Sequence, residues 1–526
     1  MPVLIVCSIL LYQKDFAETG KDRFFLFSKK EFKEVGIDSL YDLGGDLVTY
    51  DFWLIAPTLF NLKGRLPKNI IDITVLHRIL IGEKKNNSDI QKWDISQTIK
   101  VLPEGDACLE KYLPMYYRRQ ELEVDVYHLF ASVLRKSAKK AYKSAAKKGE
   151  LKRFLSVETP LFNLLNEAAC NGIALNHEAL TTHKRSVEVD YYRFLKKYAE
   201  KHNALYCSPT SEDVDQKLCD LGYDLNEYSQ DYILNYLPSS CGYCEDVIEL
   251  KRIERSLHIL NNVPLRTRRL IPIVETHASV TSRIYYKLPT LQNLAKKYRN
   301  ILSAENNKIL SYVDYDQFEI GVMAALSGDE NLLSLYNKSD PYQELAIAVF
   351  GDSKKRKLCK KLFLSYTYGM NRNKLLRVFH EAEGDKRKAK EFFNQFKAFE
   401  NWKIEICLEF LERGKVSTVE GNYLRRTRKN KKQFVKNLSR KESRTAVSHV
   451  VQGTGSYIFK CALLEIGKLK DVNILVPMHD AVLVQHPTSF DTERLIAGFQ
   501  ETMDRVLEFK ISSKASIEPF FAYGKD

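Results

Sequence analysis

The spacing of apolar positions changes several times along this chain, and each change predicts a different part of the fold. Residues 1 to about 130 mix short β-type runs, such as VLIVCSILLY, RFFLFS and DLVTYDFWLI, with helical segments, as an α/β domain does. From about 155 to 270 the period is mostly helical; strands return from 271, and a long helical block lies between about 341 and 413. A chain of 526 residues is too long for one core, so we expect two to four domains.

Charge narrows the choice of partners. Lys and Arg together number 81 against 67 Asp and Glu, which gives a net charge of +14, and an excess of this size suggests a polyanion such as nucleic acid. Hydrophobic residues at 44% and charged residues at 28% are typical of a soluble globular protein. The apolar run at 2–12 is too short to span a bilayer and follows no basic segment, so we expect a buried strand there rather than a signal peptide or membrane span.

Two segments allow more than one interpretation. The lysine-rich stretch from Lys136 to Arg153 favours a solvated helix or linker, with a phosphate-contacting surface as the alternative. The stretch CGYC, from Cys241 to Cys244, favours ordinary thiols over a zinc site, because it lacks a second pair at metal spacing. The ten cysteines show no disulfide-framework spacing, which fits a reducing compartment.

Two aspartates stand where strands end. In VPMHDAVLVQ, Asp480 lies between apolar runs that predict two short strands joined by a tight turn. Asp314 ends the strand LSYVDY, and DQFEIGVMAALSG then takes up helical spacing. If these strands are neighbours, the two acids could hold a pair of divalent metals that activate a hydroxyl and stabilise a leaving phosphate. Ordinary strand-end or turn acids remain an equal alternative on this evidence alone.

A third element favours the catalytic interpretation. In KKRKLCKKLFLSYTYGM, Arg356, Lys360, Leu364 and Tyr368 recur every four positions and therefore share one helical face. That face suits a nucleoside triphosphate, with the phosphates at the two cations and the base end near the tyrosine. Gly369 then lets the backbone turn or approach closely.

With these motifs in order, the chain resembles family A DNA polymerases, the group of bacterial DNA polymerase I and its phage relatives. Asp314-Tyr315-x-Gln317-x-Glu319 is similar to their motif A, Arg356-x3-Lys360-x7-Tyr368-Gly369 to motif B, and His479-Asp480 to motif C. Further similarity lies in TSRIYYKLPTLQN and SRTAVSHVVQGT, and the spacings hold over about 155 to 526.

The resemblance implies an α+β and α/β multidomain architecture, with a right-hand polymerase preceded by an RNase H-like exonuclease-type domain. The implied divisions are a degenerate 3′-5′ exonuclease-like domain at 1–135, a basic linker and helical lead-in at 136–204, a thumb at 205–270, a palm at 271–340 and again at 440–526, and fingers at 341–439.

The resemblance also implies roles for single residues. Asp314 and Asp480 would be catalytic and would bind two Mg²⁺ ions, with the Tyr315 backbone carbonyl assisting. The residues implied for dNTP binding are Arg356, Lys360, Leu364, Tyr368, Glu319 and Gln317, with Glu319 obstructing a ribose 2′-hydroxyl. Those implied for primer-template DNA are Arg283, Gln292, Asn293, Gly369, Arg444, Gln452 and His479. The implied setting is the cytoplasm of a bacterial or phage-infected cell, where replication accessory proteins are further candidate partners and no membrane is involved.

Several positions depart from the family pattern. The usual Glu after the motif C aspartate is replaced by Ala481, and because side chains alternate along a strand, we expect residue 481 to point away from a metal site that Asp480 faces. Asp316 is an extra acid in motif A and a candidate for compensating charge. The remaining departures are Leu364, Gly321, Ser448 and the displaced Arg425 and Arg426.

The N-terminal part resembles a decayed proofreading exonuclease. Such a domain needs a DxE pair on its first strand for two metals, and the equivalent place here is Cys7-Ser8-Ile9. Asp51 and Glu121 resemble later exonuclease motifs, whereas Asp15 and Glu18 have the wrong spacing. One or two isolated acids cannot build a two-metal site, so we expect no proofreading.

We therefore expect a template-directed DNA polymerase. One alternative is a single-subunit RNA polymerase, against which Glu319 argues. The other is a catalytically silent DNA-binding scaffold, against which the joint presence of Asp314, Arg356, Lys360 and Asp480 argues.

Overall fold

The computed structural model describes residues 8–16, 22–28, 31–82, 95–100, 102–225, 230–236, 242–426 and 437–521. Its N-terminal unit is an α/β domain, as predicted. The strands are β1 (Ser8–Gln13), β2 (Arg23–Ser28), β3 (Glu31–Val35), β4 (Leu47–Thr49) and β5 (Ile70–Asp72). The helices are α1 (Ala56–Lys63), α2 (Ile73–Ile81), α3 (Ile95–Ile99), α4 (Gly105–Tyr116) and α5 (Val124–Lys148).

The sheet of this unit is mixed, with the strand order β3-β2-β1-β4-β5. Strand β1 pairs antiparallel with β2 and parallel with β4. The run DLVTYDFWLI forms a shorter strand than expected, because only Leu47–Thr49 is extended and Asp51 then turns into the left-handed region with φ 41°. The expected strand in the apolar run at 2–12 is seen from Ser8 onward, and its earlier residues lie outside the described part.

The lysine-rich segment is helical and belongs to the N-terminal core. Helix α5 begins at Val124 and buries Leu134, Ala138, Ala141 and Ala145, while its lysines lie on the opposite face. Gly149 ends it with φ 78°, a conformation that glycine adopts without a side-chain clash. The expected boundary between 135 and 136 therefore falls inside a helix, and the segment up to Lys148 is not a linker.

The next part of the chain is mostly helical. Its elements are α6 (Leu151–Arg153), α7 (Thr159–Asn171), β6 (Ile173–Ala174), α8 (His177–His202), α9 (Ser211–Asp220), α10 (Gln230–Tyr236), α11 (Tyr243–Asn261) and β7 (Arg269–Leu270). A π-helical turn, Phe154–Glu158, joins α6 to α7. Helices α8 and α11 pack side by side around Tyr198, Val247 and Leu250, so α8 belongs with the helices that follow residue 205. Cys244 is buried in that core, whereas Cys241 lies outside the described residues.

Strands then return in the predicted place. The elements are β8 (Ile273–Glu275), β9 (Tyr285–Lys287), β10 (Lys308–Tyr315), α12 (Phe318–Ser327) and α13 (Glu330–Lys338). The predicted helical block follows as α14 (Pro341–Phe350), α15 (Arg356–Thr367), α16 (Arg372–Glu381), α17 (Lys386–Asn394) and α18 (Lys397–Arg413). Side chains of Asp340, Asn371 and Asp385 cap three of these helices by accepting hydrogen bonds from the first backbone N–H groups.

The last part closes the sheet that carries both aspartates. It contains the hairpin β11 (Lys415–Thr418) and β12 (Gly421–Arg425), then α19 (Arg440–Ile466), β13 (Asn473–Pro477), β14 (Ala481–Pro487), α20 (Glu493–Val506) and β15 (Ala515–Glu518). The central sheet has the order β13-β14-β10-β15, with every neighbour antiparallel. Helix α20 packs on strands β10 and β15, α19 packs on α20, and α12 packs on α19, all within one continuous apolar core. None of the helices in the described ranges is both long and apolar enough to cross a membrane.

Candidate active site

The central sheet brings the two predicted acids together. In the β10–β14 ladder Asp314 lies opposite Ala481, and the Tyr315 N–H donates to the Asp480 carbonyl at 3.3 Å. The two residues therefore stand at the same end of two adjacent strands, with Asp314 inside β10 and Asp480 in the bend just before β14. This register agrees with the expectation that the strands next to Asp314 and Asp480 are neighbours.

The electrostatics at this end of the two strands favour a bound cation. Burial and the nearby Asp480 raise the pKa of Asp314 to about 8, and burial raises the pKa of Asp480. The Oδ1 atom of Asp314 is buried, and no described residue hydrogen-bonds to it. Two half-buried acids that repel each other, with an acceptor oxygen unused, fit a divalent cation with oxygen ligands. The described residues contain no group of three or more His, Cys, Asp or Glu side chains placed to hold a metal, so the fit rests on this pair.

The Tyr315 side chain is turned away from the acid pair. Its ring stacks on Phe318 with centroids 4.5 Å apart, and its hydroxyl donates to the Phe499 carbonyl at 2.8 Å. Only the backbone of Tyr315 is left to face a metal, in keeping with the role that the resemblance implies. Asp316 accepts a hydrogen bond from Ser516 at 3.1 Å and contributes to the raised pKa of Asp314, so it lies near the pair.

The expectation that the side chain of residue 481 points away from the metal site is wrong. Residues directly opposite each other in an antiparallel ladder carry their side chains on the same face, so Ala481 lies on the face of Asp314. The alternation argument failed because β14 begins at Ala481, and Asp480 sits in the bend before it, outside the regular strand.

We therefore expect Ala481→Glu to destabilise the protein when divalent metal is withheld. Ala481 is fully buried, and a Glu there adds a carboxylate beside Asp314, whose pKa is already raised by a like charge. The neutral Ala481→Gln is the matched control for size. In thermal melts with a chelator the Glu variant should melt lower than the Gln variant, and added Mg²⁺ should narrow the gap. Equal melting temperatures in chelator would show that residue 481 does not face the acid pair.

Glu518 is an acid that the motif comparison missed. It lies on β15 opposite Tyr312, on the same sheet face as Asp314 and two residue pairs further along the ladder. It contributes to the raised pKa of Asp314, and its Oε2 atom is 3.8 Å from the Lys296 ammonium. A single acid in the short apolar run ASIEP was the only signal available in the sequence.

Helix α15 carries its cations toward the acid pair. Lys360 opposes the raised pKa of both Asp314 and Asp480, and its ammonium lies 5.6 Å from the Tyr342 ring centroid. Arg356 is engaged elsewhere, since its Nε donates to Asp340 at 2.7 Å. Both cations therefore lie on one helix, as the four-residue spacing predicts. Lys360 is directed at the acids and has no ion pair with a described residue, whereas Arg356 is paired with Asp340.

A cleft of about 990 Å³ joins several other predicted residues. Its lining includes Arg283, Leu364, Tyr368, Gly369, Arg444 and Gln452. Gly369 has φ 90°, and a Cβ there would come 3.1 Å from Cγ of Arg444, so this close approach needs glycine. These residues come from the turn before β9, from α15 and from α19, which are far apart in sequence.

Glu319 lies beside three of the residues that line this cleft. Burial raises its pKa, and the neighbouring Tyr368, Arg283 and Gln452 side chains oppose that change. The Arg283 Nη2 atom lies 3.7 Å from Glu319 Oε1. Burial and the Arg283 charge lower the pKa of His479, whose ring meets Tyr285 edge to face at 5.9 Å. Glu319, Arg283 and His479 therefore lie together on the approach to Asp480.

Three other predicted site residues lie in a short turn and just before helix α12. Gln292 is buried, and its Oε1 accepts from the Tyr286 N–H at 3.2 Å, which is the role of a loop cap. Asn293 is exposed in the same short turn. Gln317 precedes α12 with φ 55°, and its buried Oε1 has no hydrogen-bond partner among the described residues.

The N-terminal unit has a cluster of buried tyrosines near the C-terminal ends of β1 and β4. The Tyr12 hydroxyl donates to the carbonyls of Tyr50 and Asp51 at 3.0 and 3.1 Å, and the Tyr50 and Tyr112 hydroxyls contact each other. All three tyrosines are fully buried. Asp51 accepts a hydrogen bond from the Ile95 N–H, and Glu121 is exposed. Asp15 is buried beside Asp22, to which its N–H donates, while Cys7 and Glu18 lie outside the described residues.

Comparisons with known proteins agree with this architecture. The family model for DNA polymerase family A matches residues 245–520, just over half of the chain. The POL domain of Pol1 from M. smegmatis, solved in complex with DNA primer-template and dNTP, superposes with a TM-score of 0.70 over 97% of this chain and 94% of that one, at 17% identity. The predicted fold class, a right-hand polymerase with an N-terminal α/β domain, is confirmed. The chain belongs to DNA polymerase family A.

Among its relatives are DNA polymerase theta of Caenorhabditis elegans, 30% identical over 244 residues, and the thermostable DNA polymerase I of Thermus aquaticus, 28% identical over 242 residues. The matched segments are 44% and 42% of this chain. They span only 14% and 28% of the length of those two proteins.

Proposed function

We propose that this chain is a template-directed DNA polymerase that adds dNTPs to a primer 3′ end by two-metal phosphoryl transfer. The observation that supports the proposal is the pair of acids at the same end of two adjacent strands, Asp314 in β10 and Asp480 just before β14. The Oδ1 atom of Asp314 is buried without a partner among the described residues, and Lys360 is directed at the pair. Mg²⁺ held by these acids and by the Tyr315 carbonyl would activate the primer hydroxyl and neutralise charge on the phosphates.

The chain's own residues then bind and orient the substrates. Lys360 holds the triphosphate, with Arg356 contributing once its pairing with Asp340 is exchanged for phosphate. Glu319 and Tyr368 close the sugar side of the cleft and exclude a 2′-hydroxyl, while Leu364 packs against the nucleotide. Arg283, Arg444, Gln452 and His479 line the path of primer and template, and Gly369 lets Arg444 approach.

We assign the structural units to the polymerase hand accordingly. The central sheet with α12, α19 and α20 is the palm, α14 to α18 with the β11–β12 hairpin are the fingers, and α9 to α11 are the thumb, which we extend to include α8 because it packs on α11.

Primer extension tests this function and its two alternatives together. A primed template is incubated with Mg²⁺ and either dNTPs or rNTPs. Extension with dNTPs only supports the proposal, whereas efficient extension with rNTPs favours an RNA polymerase, and DNA binding without extension favours a scaffold.

We predict that the wild-type chain does not shorten a mismatched primer 3′ end. Buried tyrosines lie near the C-terminal ends of β1 and β4, Asp51 accepts a hydrogen bond from the Ile95 backbone, and the described part of this unit has no group of acids placed to hold a metal. A 3′-mismatched duplex incubated with Mg²⁺ and without nucleotides should keep its length. Shortening that persists in Asp314→Asn would contradict the prediction, because that activity would lie outside the palm.

A further inference from the structure

Four ionised side chains are buried together beside the cleft, away from the acid pair. They are Glu150, Arg153, Glu158 and Lys460, each no more than 2% exposed. The Lys460 ammonium donates to both carboxylate oxygens of Glu158 at 2.8 and 3.0 Å, and Arg153 bridges Glu158 to Glu150. Two acids balance two cations, so the network is neutral and its charges are paired, as buried charges must be.

The network joins parts of the chain that are distant in sequence. Glu158 belongs to the π-helical turn before α7, and Lys460 to α19. Glu150 accepts hydrogen bonds from the N–H groups of Asn422 and Tyr423 in the β11–β12 hairpin. Apolar side chains could fill the same volume without a need for exact pairing, so a paired network is expected to fix relative positions more than it adds stability.

One neutral residue, Ser282, is held at the centre of this network. Its hydroxyl donates to Glu158 at 3.1 Å and accepts from Lys460 at 2.5 Å. Burial lowers the pKa of His277 well below its usual range, and its Nδ1 atom forms a hydrogen bond with the same hydroxyl at 2.8 Å. The Ser282 carbonyl accepts from the Ser456 hydroxyl at 2.6 Å, and its N–H donates to the Ser279 carbonyl at 2.8 Å.

The backbone of Ser282 is in an unfavourable conformation. Its φ is +62°, the left-handed region that residues with a Cβ seldom adopt. Such a conformation persists where surrounding contacts enforce it, and it is frequent at sites where geometry matters. The next residue is Arg283, whose guanidinium lies 3.7 Å from Glu319 and whose charge acts on His479 and Asp480.

We propose that Ser282 is a positioning residue, held by the Glu158–Lys460 pair, that fixes the turn from which Arg283 reaches Glu319 and the primer end. This inference rests on the proposed polymerase function. The other hydrogen bonds of the Arg283 backbone stay within the same turn: its N–H donates to Ser279 Oγ at 3.3 Å, and its carbonyl accepts from the Ala278 N–H at 3.0 Å. The buried network thus sets the position of a side chain in the cleft through a single peptide unit.

A double-mutant cycle on the full-length chain tests this. Ser282→Ala should lower kcat/KM for dNTP addition about tenfold, as loss of a supporting hydrogen bond does at other sites. In an Arg283→Ala background the same change should cost less than about twofold, since its effect passes through the missing guanidinium. Ser137→Ala is the matched control, because Ser137 is also buried against a histidine, His77, but in the N-terminal unit; its kcat/KM should stay within about twofold of wild type.

Each result either supports or overturns the positioning role of Ser282. An equal loss from Ser282→Ala in both backgrounds would overturn the positioning role, even if the melting temperature falls. Should Ser282→Ala fail to fold, Ser282→Gly relieves the strained φ while still removing the hydroxyl. A tenfold loss in Ser282→Gly supports the proposal, and wild-type kcat/KM in that variant overturns it. A wild-type chain that does not extend primers would instead show that the proposed function has failed.

Discussion

Replacing Asp314 by Asn, or Asp480 by Asn, is expected to lower nucleotide addition by about 10³-fold or more. Metal stabilisation of a phosphoryl-transfer transition state contributes several kcal/mol, and about 1.4 kcal/mol corresponds to a factor of ten in rate. A single acid cannot hold two metals between adjacent strands, so neither variant should be rescued by more Mg²⁺ within the usual range. Single-turnover extension of a primed template measures the effect.

Two controls separate loss of chemistry from loss of fold. Each variant removes one of two half-buried acids that repel each other, so its melting temperature in chelator should be no lower than that of the wild type. DNA affinity should also be retained, because the cleft residues are untouched. Glu518→Gln makes the same charge change on the same sheet face, two residue pairs along the ladder from Asp314, and should retain activity within about tenfold. Near-normal extension by either Asp variant would remove the basis of the two-metal proposal.

The sequence predicted those parts of the site that depend on local patterns. A strand followed by a helical period placed Asp314 at the end of β10, and the hairpin placed Asp480 before β14. The four-residue spacing from Arg356 to Tyr368 matches one face of α15 and its C-terminal end. In each case the backbone pattern of about ten residues determines where the side chain lies, so no knowledge of distant contacts was needed.

The parts that were missed depend on pairings between distant segments. The direction of Ala481 follows from its register with Asp314, and alternation along one strand could not provide it because β14 begins at that residue. The partner of Arg356 is Asp340, at a helix N-terminus whose position only the packing reveals. The pairing of Glu158 with Lys460 joins residues about three hundred positions apart, and neither residue carries a local sign that it is buried.

The N-terminal unit shows the same difference between local patterns, which can be predicted from the sequence, and contacts between distant segments, which cannot. The sequence has no DxE pair at the place equivalent to the first exonuclease strand, and the prediction of an absent exonuclease site rests on that. The buried cluster of Tyr12, Tyr50 and Tyr112 was not predictable, since these residues come from separate elements and meet only in the folded unit.

Lys360→Gln is expected to lower kcat/KM for dNTP addition by about 10²-fold. A hydrogen bond to a charged group is worth about 1.5–3 kcal/mol, and about 1.4 kcal/mol corresponds to a factor of ten. Lys360 is exposed, is directed at the acid pair, and has no ion pair with a described residue, so its full charge is available to a triphosphate.

Arg356→Gln should cost less, about tenfold, because Arg356 must first give up its 2.7 Å contact with Asp340 to reach a phosphate. Lys361→Gln is the matched control, since Lys361 is exposed on the next position of the same helix and points to another face. Its kcat/KM should remain within about twofold of wild type. Single-nucleotide incorporation measured over a range of dNTP concentrations gives all three values. Equal losses in Lys360→Gln and Lys361→Gln would mean that the helix acts through its overall charge, and the assignment of one face of α15 to the nucleotide would then be wrong.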